Sequence, residues 1–350
     1  MHGRKRCLRA GSPRHGTGWG GRTRCAAGGA TRIAFRLLPT RPRRGPVPWL
    51  WTPTPRGGHP ARRRSRGGHR DSVAKYPPTR QERTIAMADE VRIGLIGCGR
   101  IMPAHLRAMK RLREAGYDRF RVTALMARKL DDALRFRKRG EGPRPRPPAS
   151  ENPNDPLGVD HHYVSDVHDG DVEVYDDLGE MLSEAPIDAV EVFTTHSTHH
   201  SIAIRALEAG KHVAVEKPMA ITCLAARRMI EAAQAADRRL MVLENHRFWP
   251  HSRAAAWAAG SGLLGAIQMV LSMSIATREW SPDVVLGHTP WRHERLAGGG
   301  CATDFGPHLL DWARQVGGEI ETVSAVTRCL EPVRREYDDA GNVTKEIDAD

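Results

Sequence analysis

The sequence lacks the features that mark disulfide-rich, zinc-binding and membrane-spanning proteins. Its six cysteines are scattered, with no C-x-x-C pair and no close, even spacing. Neither a disulfide framework nor a zinc ribbon is therefore indicated. No window approaches the roughly 18 consecutive apolar residues of a membrane helix. We expect a soluble protein of the reducing cytoplasm, with no membrane partner.

Acidic residues are almost missing from the first 86 positions. Residues 1–86 hold 21 Lys and Arg but 2 Asp and Glu, whereas residues 87–350 hold 33 and 39. The net positive charge of the whole chain, +13, therefore comes from the N-terminal segment, because the rest of the chain carries more acidic than basic residues. Because the part with folding signals is mildly acidic, the overall charge does not indicate a nucleic-acid partner.

The N-terminal segment also lacks helical and strand periodicity. It is rich in Arg, Gly and Pro, and we expect disorder because it cannot bury enough apolar surface to offset its ordering entropy. A secretion signal would need an apolar stretch of about 7 to 15 residues, and Gly and Pro are too frequent for an amphipathic transit peptide. A nucleic-acid arm has only weak support. Our preferred interpretation is that Met87 is the natural start and that residues 1–86 come from an over-long gene model.

From Val91 onward, short apolar runs alternate with stretches of helical period, which is the pattern of a parallel sheet covered by helices. Buried strands are predicted in VRIGLIG, RVTALMA, DAVEVFT, HVAVEK and LMVLEN, which start at residues 91, 121, 188, 212 and 240. Helices are predicted at 103–115, 176–184, 199–209 and 222–236. Thr222 is the expected N-cap of the last one, and Gly116 and Gly210 are expected helix ends.

Two regions depart from this rhythm. Residues 139–170 are rich in Pro, Gly and Asp and are predicted to form an inserted surface loop. Further on, alternating strands at 266–277 and 321–332 flank one helix at 303–315. This texture predicts a second, α+β domain with an open, mostly antiparallel sheet. The final DDAGNVTKEIDAD resembles a hairpin whose return strand has just begun, so we expect a truncated C-terminus.

A glycine turn follows the first predicted strand. Gly97 permits a tight turn, and Gly99 lets the backbone approach a pyrophosphate at the N-terminus of the next helix, where free N–H groups favour anions. Arg100 and Ile101 complete the predicted cofactor contacts, although Met102 stands where the fingerprint has Gly or Ala. Because a strand and a helix flank the motif, a dinucleotide is favoured over a plain strand-to-helix turn.

The end of the second predicted strand indicates which dinucleotide is bound. A carboxylate there would hold the ribose 2′-hydroxyl of NAD, but the strand ends Ala127-Arg128-Lys129. A small residue followed by two cations suits a 2′-phosphate, so NADP is slightly favoured over NAD, with Arg128 as a cofactor ligand. Ordinary solvated loop charges are an equal alternative.

Polar residues also follow the third and fourth of these predicted strands, at the sheet edge where open α/β sheets bind ligands. The TTHSTHH segment supplies Thr195 and His200 as candidate cofactor contacts. Its three histidines have no Cys or carboxylate partner at ligand spacing, so no metal is predicted. In the EKP segment, Glu216 is a further candidate cofactor contact. Lys217 can donate a proton or hydrogen bond to a reacting oxygen, and the proline fixes the turn.

A glycine run opens the predicted helix of the second domain. In GGGCATDFGPH, Asp304 and His308 are four residues apart and share one face of a helix. The carboxylate is then expected to orient or support an imidazole that transfers protons. A surface ion pair is the alternative interpretation.

Together these residues resemble the Gfo/Idh/MocA oxidoreductase family. The matching pieces, in family order, are IGLIGCGRI with His105, LEAGKHVAVEKPMA, ENHRF, WR and GGGCATDFGPHLLD. EKP followed at this distance by GGG-x-x-x-D-x-G-x-H would rarely arise by chance. The resemblance implies an α/β fold: a Rossmann-type parallel sheet in residues 87–247, joined to a substrate and oligomerisation domain in residues 248–350.

The resemblance also implies NAD(P)-dependent hydride transfer at a CH–OH group of a sugar, polyol or related small molecule, and a homo-oligomer. Lys217 matches the family's lysine at the reacting hydroxyl, and Asp304 and His308 match its substrate-binding and proton-transferring pair. Asn245 and Arg292 are candidate substrate contacts. A redox-neutral NAD-dependent glycosidase and a non-catalytic dinucleotide-sensing protein are the alternatives.

Overall fold

The computed structural model describes residues 90–151, 155–273, 289–329 and 332–348, together with the backbone of one strand near the N-terminus. The described strands are β1 Ile33–Leu37, β2 Val91–Ile96, β3 Phe120–Met126, β4 Glu173–Tyr175, β5 Ala189–Val192, β6 His212–Glu216, β7 Leu240–Leu243, β8 Ile320–Ala325, β9 Val333–Tyr337 and β10 Val343–Asp348. The described α-helices are α1 Met102–Glu114, α2 Leu130–Arg137, α3 Leu178–Glu184, α4 His199–Glu208, α5 Cys223–Ala235, α6 Pro250–Gly260, α7 Cys301–Asp304 and α8 Gly306–Gly317.

Six strands form one parallel sheet in the order β4-β3-β2-β5-β6-β7. The chain starts this sheet in its middle, at β2, builds outward through β3 and β4, and then crosses back to β5 on the other side of β2. The strand order therefore reverses between β2 and β5, and open α/β sheets bind ligands outside such a reversal. The predicted α/β class with a Rossmann-type sheet is confirmed.

Apolar side chains cover both faces of this sheet, as expected for strands that read as continuous hydrophobic runs. On one face, Leu207 of α4 and Met229 of α5 are fully buried against β5 and β6. On the other face, Leu106 of α1 and Phe136 of α2 pack with β2 and β3. Met102 is also fully buried in this second cluster. The residue that departs from the glycine fingerprint thus helps to join α1 to the sheet.

The predicted helix ends are confirmed where the residues dictate them. The Thr222 hydroxyl accepts a hydrogen bond from the N–H of Ala225 and caps α5. Gly116 and Gly210 follow α1 and α4 with φ of +86° and +76°, a conformation that residues with a Cβ rarely adopt. None of the described helices combines the length and apolar character needed to cross a bilayer.

The structure contains elements that the periodicity missed. The three-residue strand β4 and the helices α2 and α6 were not predicted. β4 is short, α2 is short and rich in charge, and α6 is alanine-rich, so none of them carries a clear periodic signal. The inserted segment 139–170 also differs from the predicted surface loop in its second half. There Val159, Tyr163 and Val164 are buried, because these apolar side chains pack beside α1 and α2.

The prediction of a single helix at 303–315 is wrong in one respect. The structure has two helices in this region, α7 and α8, separated by Phe305. Pro307 lies in the first turn of α8, where its missing N–H is tolerated, but it cannot donate into a helix that continues from α7. This break changes the neighbours of the residues on either side of it.

The remaining strands form two small antiparallel sheets, β9 with β10 and β8 with β1. The predicted AGN hairpin is confirmed by β9 and β10. In the N-terminal segment expected to be disordered, Ile33–Leu37 pairs with β8 through backbone hydrogen bonds. Of the strand predicted at 266–277, residues 266–273 lie in no strand, and the rest falls outside the described residues.

Candidate active site

A single cleft runs along the carboxyl ends of the parallel strands and is closed on the far side by α8 and the segment before it. Each central strand contributes the residues that immediately follow it. Of the predicted site residues, all but one line this cleft: Gly97, Gly99, Arg100, Ile101, Arg128, Thr195, Glu216, Lys217, Asn245, Arg292, Asp304 and His308.

His200 is the predicted cofactor contact that does not line the cleft. It is the second residue of α4, and successive helical residues point about 100° apart. Its neighbour His199 is fully buried and does line the cleft. Sequence spacing placed three histidines in one segment, but the start of α4 decides which of them face the ligand side.

The glycine turn has the shape that a dinucleotide phosphate needs. Gly97 has a φ of +100°, and a Cβ there would lie 2.9 Å from the backbone carbon of Phe193. A Cβ built on Gly99 would meet no atom within 4 Å, so the backbone is open to an approaching group. No side chain caps the N-terminus of α1, which leaves its N–H groups for an anion. These residues fit a bound nicotinamide dinucleotide.

The end of β3 carries an excess of positive charge at the same cleft. Arg128 and Lys129 are exposed, and Ala127 is buried, so no carboxylate lies at the position that would hold a ribose 2′-hydroxyl. Arg100 donates to the carbonyl of Pro147 at 3.0 Å, which brings the inserted segment beside the glycine turn. Burial and the positive charge of Arg146 on that segment lower the pKa of Arg100.

A histidine of α1 contacts the EKP turn through the Glu216 carboxylate. His105 Nε2 lies 3.0 Å from Glu216 Oε1, and its ring packs against Phe193 with centroids 4.2 Å apart. The other oxygen of Glu216 accepts the backbone N–H of Lys217 at 3.0 Å. Both oxygens of the Glu216 carboxylate therefore contact the protein itself and shape the turn that carries Lys217.

Lys217 meets the second region of the chain at Asp304. Its Nζ donates to Asp304 Oδ1 at 2.5 Å and to the Asp304 carbonyl at 2.8 Å. Arg292 Nε donates to the other carboxylate oxygen at 2.7 Å, and His196 Nε2 lies 3.5 Å from Oδ1. Lys217 is 87 positions from Asp304 in the sequence and Arg292 is 12 positions from it, yet both bind the same buried carboxylate.

The charge state of this cluster follows from its geometry. Burial alone would raise the pKa of Asp304, but the positive charges of Arg292 and Lys217 and their hydrogen bonds outweigh it and lower that pKa to about 2. Burial lowers the pKa of His196 to about 4. At neutral pH the cluster holds one carboxylate, two cations and a neutral imidazole.

The remaining histidines of the TTHSTHH segment bind backbone oxygens. His196 Nδ1 lies 2.8 Å from the carbonyl of Gly298, and His199 Nδ1 and Nε2 lie 2.8 and 3.1 Å from the carbonyls of Pro218 and Thr194. These contacts join the end of β5 to the EKP turn and to the glycine run. They give the histidines a positioning role in the structure.

The glycine run lets the Arg292 segment pack closely against the sheet. Gly298 has a φ of +84°, and a Cβ on it would lie 2.7 Å from the Cβ of His196. A Cβ on Gly299 would collide with the backbone carbonyl of Arg292. Larger residues at these positions would therefore push Arg292 away from Asp304.

The carboxylate beside His308 is not the predicted one. Asp304 ends α7 and pairs with Lys217 and Arg292, whereas His308 Nδ1 lies 2.6 Å from Oε1 of Glu244, at the end of β7. The break at Phe305 removes the shared helix face on which the Asp304–His308 prediction rested. Glu244 was part of the ENHRF segment, but it was given no role. An acidic residue near the carboxyl end of the predicted LMVLEN strand was the signal that could have found it.

His246 covers the face of His308. The two rings are nearly parallel, 12° apart with centroids at 3.7 Å, and His246 stacks on Trp249 at 3.8 Å on its other side. Ligand atoms of Glu244, His246 and His308 lie within 4.8 Å of one another, which is the only such group of three among the described residues. Asn245 lies between two of these residues, exposed at the mouth of the cleft.

Two family sequence profiles match the regions that form the cleft. The profile described as the oxidoreductase family with an NAD-binding Rossmann fold matches residues 91–244. The profile described as the GFO/IDH/MocA C-terminal domain matches residues 253–349. Together they cover well over half of the chain.

Levoglucosan dehydrogenase of Pseudarthrobacter phenanthrenivorans is 34% identical over 45% of this chain and 40% of that protein. Myo-inositol 2-dehydrogenase of Thermotoga maritima is 28% identical over 72% of this chain and 62% of that protein. The chain thus spans less than two thirds of these relatives. The WlbA dehydrogenase of Bordetella pertussis, solved with NADH and UDP-GlcNAcA, has the same fold, with a TM-score of 0.51 and 23% identity over 75% of this chain and 67% of that one. The chain belongs to the Gfo/Idh/MocA family of oxidoreductases, which has an NAD-binding Rossmann fold.

Proposed function

We propose that the protein is an NAD(P)-dependent dehydrogenase that transfers a hydride between a nicotinamide and a CH–OH group of a sugar, polyol or related small molecule. The observation that carries this proposal is the position of Lys217, Asp304 and His308 in the same cleft as the open glycine turn. A bound nicotinamide dinucleotide would supply the hydride acceptor or donor. Gly97, Gly99 and the N-terminus of α1 would hold its phosphates.

Lys217 has the donors needed to stabilise a developing alkoxide. An ammonium group has three N–H donors, and two of them go to Asp304. The third can reach a substrate oxygen, where a positive charge in a partly buried cleft favours the alkoxide over the neutral hydroxyl. Asp304, kept ionised by Arg292, fixes the direction of the lysine side chain.

His308 is suited to take the hydroxyl proton. Its Nδ1 is bonded to Glu244, and no described residue bonds to its Nε2. The side chain is 6% exposed and its ring face is covered by His246, which limits competition from water. As the C–H hydride leaves the carbinol carbon, the O–H proton passes to Nε2 and a carbonyl group forms.

The family relatives support a polyhydroxylated substrate. Their names refer to levoglucosan, myo-inositol and D-glucosides. Arg292 and Asn245 lie where they can contact further hydroxyl groups, since both line the cleft next to the reacting residues.

A cofactor titration and a small substrate panel test the proposal. The fluorescence of NADH and NADPH should change on binding, and reduction of NAD⁺ or NADP⁺ should be seen with at least one of levoglucosan, myo-inositol, D-apiose and methyl D-glucoside. Lys217→Met should lower kcat by about a thousandfold, because the alkoxide loses its cation. Lys211→Met is the matched control, since Lys211 donates to the carbonyl of Ile187 and does not line the cleft. Absence of binding by both cofactors would contradict the proposal.

We further propose a preference for NADP. It is supported by the exposed Arg128 and Lys129 at the end of β3 and by the nearby Arg100 and Arg146. Arg128→Ala should weaken NADPH binding about tenfold and leave NADH binding nearly unchanged, because only NADPH carries the 2′-phosphate. Lys110→Ala, on an exposed side of α1, serves as the charge-matched control. Equal weakening of both cofactors by Arg128→Ala would contradict the preference.

A further inference from the structure

Glu244 is placed to control His308. It follows β7 directly and is 8% exposed. Its Oε1 lies 2.6 Å from His308 Nδ1 and also accepts the backbone N–H of His246 at 2.9 Å. Its Oε2 is buried and has no hydrogen-bond partner among the described residues. A buried carboxylate is costly unless it is hydrogen-bonded, so its contacts with the His308 imidazole and the His246 N–H matter for its stability.

A second ion pair holds the same two elements together. Arg247 Nε and Nη2 donate to the two oxygens of Asp311 at 3.0 and 2.6 Å. His308 and Asp311 are three residues apart on α8 and so lie on one face of that helix, while Glu244 and Arg247 both belong to the segment that follows β7. The segment after β7 is thus tied to α8 at two points, one at the imidazole and one a turn away.

We propose that Glu244 is the positioning residue of the proton-transfer step, a role that rests on the proposed dehydrogenase function. An ionised carboxylate has no proton to give, so Nδ1 of His308 must donate the hydrogen in this contact. This fixes the neutral tautomer whose Nε2 is free to accept. When Nε2 takes the substrate O–H proton and the hydride leaves with the electron pair of the C–H bond, the Glu244 anion stabilises the imidazolium.

The geometry favours this role over metal binding. A metal ion needs ring lone pairs that converge on one point. The nearly parallel rings of His246 and His308 direct their in-plane lone pairs side by side, and Nδ1 of His308 is already occupied by Glu244. His246 acts instead as a cover that shields the imidazole from water.

Kinetics separate positioning from simple structural support. Glu244→Gln keeps the size of the side chain and removes its charge, and it should lower kcat by about 100-fold or more while KM and NADPH binding change by less than about threefold. Glu244→Asp, which keeps the charge, should recover part of kcat. The solvent deuterium isotope effect on kcat should increase in Glu244→Gln, because proton transfer becomes slower relative to other steps. An unchanged kcat in Glu244→Gln would overturn the proposal.

Nitrogen-15 NMR of the full chain with labelled histidine tests the same idea without turnover. His308, assigned by comparison with His308→Asn, should carry its proton on Nδ1 in the wild type, and Glu244→Gln should populate the Nε2–H form. Asp311→Asn is the matched control: it removes the carboxylate of the neighbouring ion pair but should keep the Nδ1–H form of His308. A wild-type His308 with its proton on Nε2, or stoichiometric zinc that is lost in Glu244→Gln, would overturn the proposal. Failure of wild-type turnover alone would count against the proposed function and leave the tautomer result standing.

Discussion

Residues 94–96 of β2 and 122–125 of β3 are buried, whereas five of the six residues of β10 are exposed. Leu95, Leu125 and Leu207 in the Rossmann sheet and its helices are fully buried, while Val323 on β8 is 60% exposed. The first region buries the apolar surface that stabilises a fold. The second region, in its described part, buries few large apolar side chains.

What the second region contributes instead is charge placed against the edge of the first. Asp304 meets Lys217, His308 meets Glu244, and a further carboxylate of α8 meets the arginine after β7. The fold and the candidate site therefore depend on different forces. Apolar packing stabilises the Rossmann sheet, whereas the contacts of two buried carboxylates, Asp304 and Glu244, hold the candidate site residues in the cleft.

The largest expected difference between the two regions is the loss of unfolding free energy when an apolar side chain is truncated. Leu207→Ala should lower the free energy of unfolding by about 3 kcal/mol, because it removes a fully buried side chain and leaves a cavity. Val323→Ala should lower it by about 0.5 kcal/mol or less, since most of that side chain already contacts water. Urea denaturation of both variants measures the difference. Equal losses in the two variants would contradict the difference in apolar packing between the two regions.

Acid should weaken the contact between the regions before the apolar core responds. Asp304 has a pKa of about 2 in the folded protein, below its ordinary value of 3.8, so it stabilises the fold above pH 3.8 and loses that contribution as the pH falls toward 2. The expected loss is about 2 kcal/mol.

Unfolding free energies measured between about pH 5 and pH 2 should therefore fall more steeply in the wild type than in Asp304→Asn. The variant has no carboxylate to protonate at this position. Parallel pH curves for the two proteins would show that the ion pairs with Arg292 and Lys217 do not contribute to stability in the way proposed.

Substitution of two glycines in one turn should affect different properties: one substitution should lower stability, and the other should weaken cofactor binding. Gly97→Ala should lower the free energy of unfolding by about 1 kcal/mol or more, because a Cβ at a φ of +100° would press on the backbone of Phe193. Gly99→Ala should leave Tm unchanged but weaken NADPH binding, since its Cβ enters the space left for the phosphates. Thermal unfolding and fluorescence titration of both variants provide the measurements. A Gly99→Ala variant with wild-type affinity would count against this cofactor placement.

The sequence predicted the Rossmann half well because its signals are local. Each of these signals depends on residues that are close together in the sequence. They are the apolar runs that form β2, β3, β5, β6 and β7, the glycine turn and the cap at Thr222. The second region was predicted less well. The 303–315 helix is broken, residues 266–273 lie in no strand, and β8 is partnered by a strand from the segment expected to be disordered.

Sequence patterns alone were enough to predict the parallel α/β architecture, the open glycine turn at the end of β2, and the presence of a lysine, an aspartate and a histidine at the cleft. The three-dimensional structure was needed to show which of these residues contact one another. Asp304 pairs with Lys217 across 87 residues, and His308 takes its carboxylate from Glu244 across 64. Spacing along a helix cannot reveal such partners, because they depend on where α7 ends and on how α8 docks against β7. The charges then pair because burial makes an isolated ion costly.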